Sequence, residues 1–569
     1  MEILTTLISK FASGIGPFVL LLGLLIFVHE LGHYLVAVWC GVRVETFSLG
    51  FGKKIFSFKR GHTTYCISLI PLGGYVKMFG DDPTKEVSAE EKEYSFLHKP
   101  VSKRIAVVLA GPLMNLFFAA FLFSYIGVLG EEVVSNKIGD VYVNTAAYTA
   151  GFRSGDRITS VNGVATTHWK QIQSAIESSS GQNVTFQVSR EDNTIAEVNA
   201  TPVLSKNDFI FTTQREVGKI EGLGIESSAT MVGVTSSDSI AAKAGIQTFD
   251  YIEKIDGQEI KYFRDIQRVL SASIDKPNWK VTVSSYSENT GAEQKEAPQR
   301  EVVLENPYSA KPSDSHSIEN IVLSLGITKP DLFLLNIKPD APAAKAGMKK
   351  GDYIASIDNK PIVTWTDVTN KIKSYSSEQG PIQFGIIRGT ETLNISAIPE
   401  KIELPTAQGA IETRYAIGIV PAISIAPNEP FLLKTSGISD TLFLGVEKSW
   451  EWSKFIAISF VRLVQAEVSP KNIGGVITIG RVASQSFEAG AVVFLRFMAI
   501  LSINLFLLNL LPVPVLDGGH LVFFTIEAIK GSPLSLKKME IAQQFGMILL
   551  LCLMVFAFYN DIRQLITSW

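Results

Sequence analysis

His29-Glu30-Leu31-Gly32-His33 is the stretch of this chain best equipped for chemistry. On a helix its two imidazoles lie one turn apart on one face, so both can reach a single metal ion. Glu30 beside them is placed as general base for a water at that metal. With only seven histidines in 569 residues, a metal site accounts for this spacing better than a histidine pair packed by chance in a buried helix. The setting is unusual. Residues 14–40 are apolar around the motif, long enough to cross a bilayer, which takes about 20 residues. Ionisable side chains at that depth are costly and mark functional sites.

A catalytic zinc takes three protein ligands and leaves one position open. A third histidine six residues after His33 would extend the motif, but Trp39 stands there. His62 and His98 fall in one connecting segment, and His168 and His316 in another. At membrane depth Asp517 and His520 remain, in Asn509-Leu510-Leu511-Pro512-Val513-Pro514-Val515-Leu516-Asp517-Gly518-Gly519-His520. Two prolines and two glycines break the helix there, and irregular backbone persists at that depth only inside protein or beside a cavity. Asp517 offers an anionic oxygen and can complete a His-His-Asp set. A fourth protein ligand would close the open position, so His520 reads as a turn or supporting residue.

Four apolar stretches must position these groups. Residues 1–40 hold the first span with H-E-x-x-H, read as retained and not as a cleaved signal peptide. Residues 105–130 form the second, 491–518 the third, running into Leu516-Asp517-Gly518, and 541–569 the fourth with a short tail. Asn115 in the second is expected to bond across to a neighbouring helix. Segment 41–104 carries eleven Lys and Arg, and the loop 519–540 carries Lys530, Lys537 and Lys538, against Lys10 and Arg563 in the tails. Basic loops stay cytoplasmic, so both segments are expected inside and both termini outside. Residues 42–52 and 63–72 alternate like the strands of a β-hairpin. A 46% hydrophobic and 19% charged composition fits a chain shared between lipid and water, and a net charge of −3 gives no reason to expect nucleic acid. Three cysteines make neither a disulfide framework nor a cysteine zinc site.

The region between the second and third spans is then extracytoplasmic, and it repeats. Ala150-Gly151 precedes Asp156-Arg157-Ile158 and Val161-Asn162-Gly163. Ala244-Gly245 precedes Asp250-Tyr251-Ile252 and Ile255-Asp256-Gly257, and Ala346-Gly347 precedes Asp352-Tyr353-Ile354 and Ile357-Asp358-Asn359. The copies lie 94 and 102 residues apart, the size of a small domain. They are expected at 131–222, 223–312 and 325–405. The second has Phe249 where the others have Gly, and a polar stretch at 285–299, so it is the copy least suited to a ligand. Residues 406–490 turn amphipathic, with 446–466 suited to a helix lying at the lipid interface, a fifth crossing being the alternative.

Each copy resembles the PDZ domain of bacterial envelope proteases, a module that binds peptide ends by adding a strand to a sheet edge. Together with H-E-x-x-H and N-x-x-P-x-P-x-L-D-G, the stretches Leu109-Ala110-Gly111-Pro112-Leu113-Met114-Asn115, Pro71-Leu72-Gly73-Gly74-Tyr75-Val76-Lys77-Met78 and Tyr559-Asn560-Asp561-Ile562 resemble the site-2 protease family. The likeness is to its bacterial branch with PDZ domains between spans two and three. That resemblance implies a polytopic α-helical membrane protein of four transmembrane helices. A cytoplasmic, membrane-associated β-hairpin and an extracytoplasmic insert of tandem PDZ-like α+β domains would complete it. It implies Zn2+ held by His29, His33 and Asp517, Glu30 as base, and Asn509 and Asn504 at the substrate. It implies a zinc metalloendopeptidase of the bacterial inner membrane, in contact with lipid, that cuts single-pass membrane proteins such as pre-trimmed anti-sigma factors or remnant signal peptides. The hairpin edge would pair with unwound substrate, and the PDZ copies would act as a size gate. Two features depart from the pattern: three PDZ-like copies where one or two are common, and Asn472-Ile473-Gly474-Gly475-Val476 where relatives often show Gly-Pro. The rival reading is a membrane-anchored PDZ scaffold without turnover; the presence of Glu30 tells against it.

Overall fold

The computed structural model describes residues 14–567 apart from 83, 208, 210, 287–297, 310–320, 363, 406–410 and 469. His316 and most of the polar stretch in the second copy lie outside the described residues.

Among the described residues four helices are long and apolar enough to cross a membrane: α1 (Ile15–Trp39), α2 (Val101–Leu129), α5 (Ala491–Asn509) and α7, Leu536–Thr567. A helix that is apolar all round has no face for water. α1 and α5 both pack along α2, where Leu21, Leu25, Leu122, Phe123, Met498 and Ile503 make one buried cluster. α7 stands further out. It is tied in by Asp561, whose carboxylate accepts from the Gly475 and Ile477 amides (2.8 and 2.9 Å) and from the Thr478 hydroxyl. That carboxylate sits at the N-terminus of α4 (Val476–Glu488), where the helix dipole favours an anion. This gives Asn560-Asp561 a structural reason to be there.

Two boundaries differ from expectation. The third span does not run to residue 518; it ends at Asn509, and Asp517 opens a separate helix, α6 (Asp517–Lys530), in what was expected to be a loop at 519–540. Pro512 and Pro514 have no N–H to continue the ladder. The amphipathic stretch at 446–466 belongs to a longer helix, α3 (Ile438–Val464), which packs on α2 through buried Gly445, Ser449 and Ser453 and leaves Phe443, Val446, Trp450 and Val461 exposed.

Between α1 and α2 lie β1 (Val44–Arg60) and β2 (Thr63–Met78). Each strand folds back on itself, so four lanes result. Residues 46–49 pair with 64–67 on one side and 74–77 on the other, and 54–60 pair with 63–68. The 74–78 lane is therefore an edge.

Among the described residues the insert contains three four-stranded sheets with the same strand order. Each closes over its own buried core beneath one helix, Trp169–Ser178, Phe263–Ala272 or Trp365–Lys373. Every copy is closed by a segment beyond its expected border. Leu223-Gly224-Ile225, Leu325-Gly326-Ile327 and Ile417-Gly418-Ile419 return beside the first strand of their own copy, through Gly139 N–H to Gly224 O, Val234 against Ile327, and Ile337 against Ile419.

The chain then runs back past all three copies. Ala422 N–H bonds to Phe333 O in the third, Ser424 and Ala426 pair with Ala229 and Ser227 at the start of the second, and Glu429 O accepts from Ser135 in the first. It ends as β4 (Pro430–Leu433), antiparallel to β3 (Glu131–Val134), the strand by which the chain left α2. A buried ionic junction adds to this tie. Asp140 of the first copy meets Arg264 of the second and Lys329 of the segment after it, each at 3.0 Å, and accepts from the Ser228 amide and hydroxyl. Burial pushes the Asp140 carboxyl up, but Lys329 and Ser228 outweigh it and hold it below the ordinary range. Burial likewise lowers Lys329, and Asp140 more than restores it.

Candidate active site

α1 presents His29, Glu30 and His33 on the face turned toward α2 and the β1–β2 sheet. Its closeness to α2 is set by two glycines. A Cβ on Gly32 would overlap the Ala110 carbonyl, and one on Gly111 would clash with the His33 ring. In the second of these helices Pro112 removes one N–H from the ladder, and one turn earlier the Val107 carbonyl accepts the His33 Nδ1 proton at 2.9 Å. Asn115, fully buried, places its side-chain nitrogen 3.3 Å from His29 Nδ1, and its Oδ1 has no hydrogen-bond partner.

Asp517 arrives from the opposite end of the chain. As the first residue of α6 it lies at the positive end of a helix dipole, which favours a carboxylate. Its Oδ2 is 3.2 Å from His29 Nε2 and 3.5 Å from His33 Nε2, and the two Nε2 atoms are 3.2 Å apart. Zinc bonds of roughly 2.0–2.1 Å in a tetrahedron put ligand atoms about 3.3 Å from one another. Two imidazole nitrogens and a carboxylate oxygen at these separations fit one zinc ion with a fourth position free. Among the described residues this is the one group of three or more such donors.

The cluster opens into a cavity of about 940 Å³ whose wall includes Glu30, Gly74, Tyr75, Val76, Met78, His520, Phe523 and residues 533–543 leading into α7. The edge lane of β2 forms one side. Val76 of this lane lines the cavity beside Glu30. A Cβ on Gly74 would come within 3.0 Å of Glu30 Cγ and 2.9 Å of Ile26 Cγ2, so only glycine lets this lane lie against α1. On the far wall Arg104 of α2 grips Glu527 of α6 through two bonds of 3.0 and 2.6 Å and stacks on Phe524.

The structure thus brings together His29, Glu30, His33 and Asp517. His520 lines the same cavity, its ring edge-on to Phe523. Asn504 and Asn509 are on α5 and are not part of the cavity wall. Asn115 reaches across to a neighbouring helix as expected, though reasoning from sequence did not name His29 as its partner, and it missed the Arg104–Glu527 pair. For Asn115 there was a signal, a lone amide in an apolar run; a pair 423 residues apart left none.

The sequence model of peptidase family M50 matches residues 17–553. The regulator of sigma-E protease RseP of Escherichia coli (strain K12) is 28% identical over 558 residues, covering 98% of this chain and all of the relative. A protein of Neisseria meningitidis serogroup A that bears the name of a zinc metalloprotease is 30% identical over 556 residues, covering 96% of this chain and 98% of its own length. Protease RseP of Yersinia pestis is 28% identical over 556 residues, covering 97% and 98%. By that match the chain belongs to peptidase family M50, the site-2 protease family of zinc metalloproteases.

Proposed function

We propose that this enzyme sits in the bacterial inner membrane, with the PDZ-like insert and both termini on the extracytoplasmic side. There it cuts single-pass membrane proteins within or beside the bilayer, pre-trimmed anti-sigma factors or remnant signal peptides being the substrate classes. One observation carries the reading: three donors at zinc spacing line a cavity whose wall includes the edge lane of a β-sheet. His29, His33 and Asp517 hold the zinc. When bound, zinc supplies Lewis acidity to the scissile carbonyl and to the attacking water.

The chain's own residues do the rest. Glu30 takes the water proton on its carboxylate as the C–O bond forms, then passes it to the amide nitrogen as the C–N bond breaks. A transmembrane helix hides its carbonyls in its own ladder. The 74–78 lane offers an unwound segment replacement backbone bonds, next to Glu30, by strand addition. Asn509, and Asn504 more than a turn earlier on α5, are assigned to the substrate side, at the helix break that leads to Asp517. The three PDZ-like copies screen substrates by the size of their extracytoplasmic part.

The test uses full-length protein in detergent, wild type against Glu30→Gln, with zinc content and cleavage of a trimmed single-pass substrate measured together. Zinc in both and cleavage by the wild type alone is the expected result. Equal cleavage by the two, or no zinc in either, overturns the proposal.

A further inference from the structure

The two histidines need the same tautomer to ligate a metal through Nε2: the proton on Nδ1 and the lone pair on Nε2. For His33 this is already settled, because its Nδ1 faces the Val107 carbonyl at 2.9 Å, and a carbonyl can only accept. His29 faces an amide instead. With the Asn115 nitrogen 3.3 Å from His29 Nδ1, that atom would have to accept. The ring proton would then sit on Nε2, pointing at His33 Nε2 and Asp517 Oδ2. Such an imidazole cannot ligate.

A half-turn of the amide exchanges its oxygen and nitrogen without changing its shape, and the two atoms are told apart only by their hydrogen bonds. The Asn115 Oδ1 is buried without a partner in its present position. Turned toward His29, it accepts the Nδ1 proton. One amide atom is left over in either orientation, so the need of the histidine decides between them. The position is well fixed: Asn115 is fully buried, and Ser502 of α5 donates to its main-chain oxygen at 2.7 Å. Side chains lean toward the N-terminus of their helix, which carries the amide back from residue 115 toward the Val107 end, where His33 is held.

We propose that Asn115 is a positioning residue for His29, its side-chain oxygen accepting the Nδ1 proton so that Nε2 is the atom offered to the metal. α2 thereby supplies the outer acceptor for both histidines, a main-chain carbonyl for one and an amide for the other. This rests on the zinc site proposed above.

The test compares full-length wild type, Asn115→Leu and Asn115→Asp in detergent, by titrating zinc away with a chelator and by kcat and KM at limiting and saturating zinc. Leu matches the shape and removes the acceptor, so zinc affinity should fall about 10- to 100-fold, with KM little changed and kcat largely recovered at saturating zinc. Asp keeps an acceptor and should stay within about threefold of wild type. Melting of the metal-free proteins checks folding. Should Leu melt early, Asn115→Ala, which cannot clash, must show the same loss of zinc. Wild-type zinc affinity in the Leu variant (or, if Leu melts early, in the Ala variant) overturns the proposal, and so does an Asp variant as weak as Leu. A wild type without zinc is a different result, and counts against the proposed function.

Discussion

His29 and His33 are gripped from the side, by a helix crossing so close that neither Gly32 on α1 nor Gly111 on α2 admits a Cβ, whereas Asp517 is held from behind, at the start of α6. The histidine arm is continuous helix packed on continuous helix. The carboxylate arm comes after a broken stretch, and its seat on α2 includes one charged grip, Arg104 on Glu527, both nearly buried. Close packing has few alternative arrangements. A helix pinned by an ion pair can be released by removing one charge. The difference suggests that the histidines form the fixed part of the site and Asp517 the part that could be moved.

The largest effect should come from the fixed arm. Gly111→Val forces a side chain into the space of the His33 ring and should abolish both zinc binding and cleavage, measured on purified protein. The carboxylate arm should give a graded result. Arg104→Met leaves Glu527 buried without its partner, a loss of about 3–5 kcal/mol, read as a lower melting temperature and slower cleavage. Adding Glu527→Met should restore much of the stability, since an apolar pair can replace a buried ionic one. If the double variant is no better than the single, the pair does more than hold α6.

The insert offers a milder contrast, because several features hold its copies together. Asp140→Asn should lower insert stability by about 1.5–3 kcal/mol, the worth of a hydrogen bond to a charged group, and leave cleavage of trimmed substrate unchanged. The sign of its pH dependence comes from the direction of each shift. Asp140 is held below its ordinary value, so its contribution is present above about pH 4 and is lost as pH falls through the lowered folded value. Lys329 is held above its own, so its share is full below about pH 10 and is lost as pH rises further. Wild-type insert stability should therefore be flat in this respect from about pH 5 to 9, checked by thermal melting across that range.

Much of the site was legible because its residue types are rare in their setting. Two histidines in an apolar run, and an Asp-Gly-Gly after two prolines, are conspicuous in lipid-facing sequence. The helix break at Pro512 and Pro514 was visible too. The new helix beyond it was not, because an Asp-Gly-Gly run reads equally well as a turn closing the span. The three Φ-G-I triples stand in the sequence without announcing themselves, since three residues carry no period of their own. The run from Ile419 to Leu433 pairs with strands 82 to more than 300 residues away, and nothing local in its composition announces such partners.

β3 and β4 lie side by side, about 5 Å apart as paired strands must be, at the one place where the chain leaves the membrane core for the insert and returns. Everything from residue 135 to 429 is therefore spliced in at a single doorway whose posts are already bonded to each other. Closing that doorway with a short turn would give an ordinary hairpin, and the paths of α2 and α3 need not change. The membrane core can thus accept cassettes of different length in this slot, which makes the number of copies free to vary independently of the metal site.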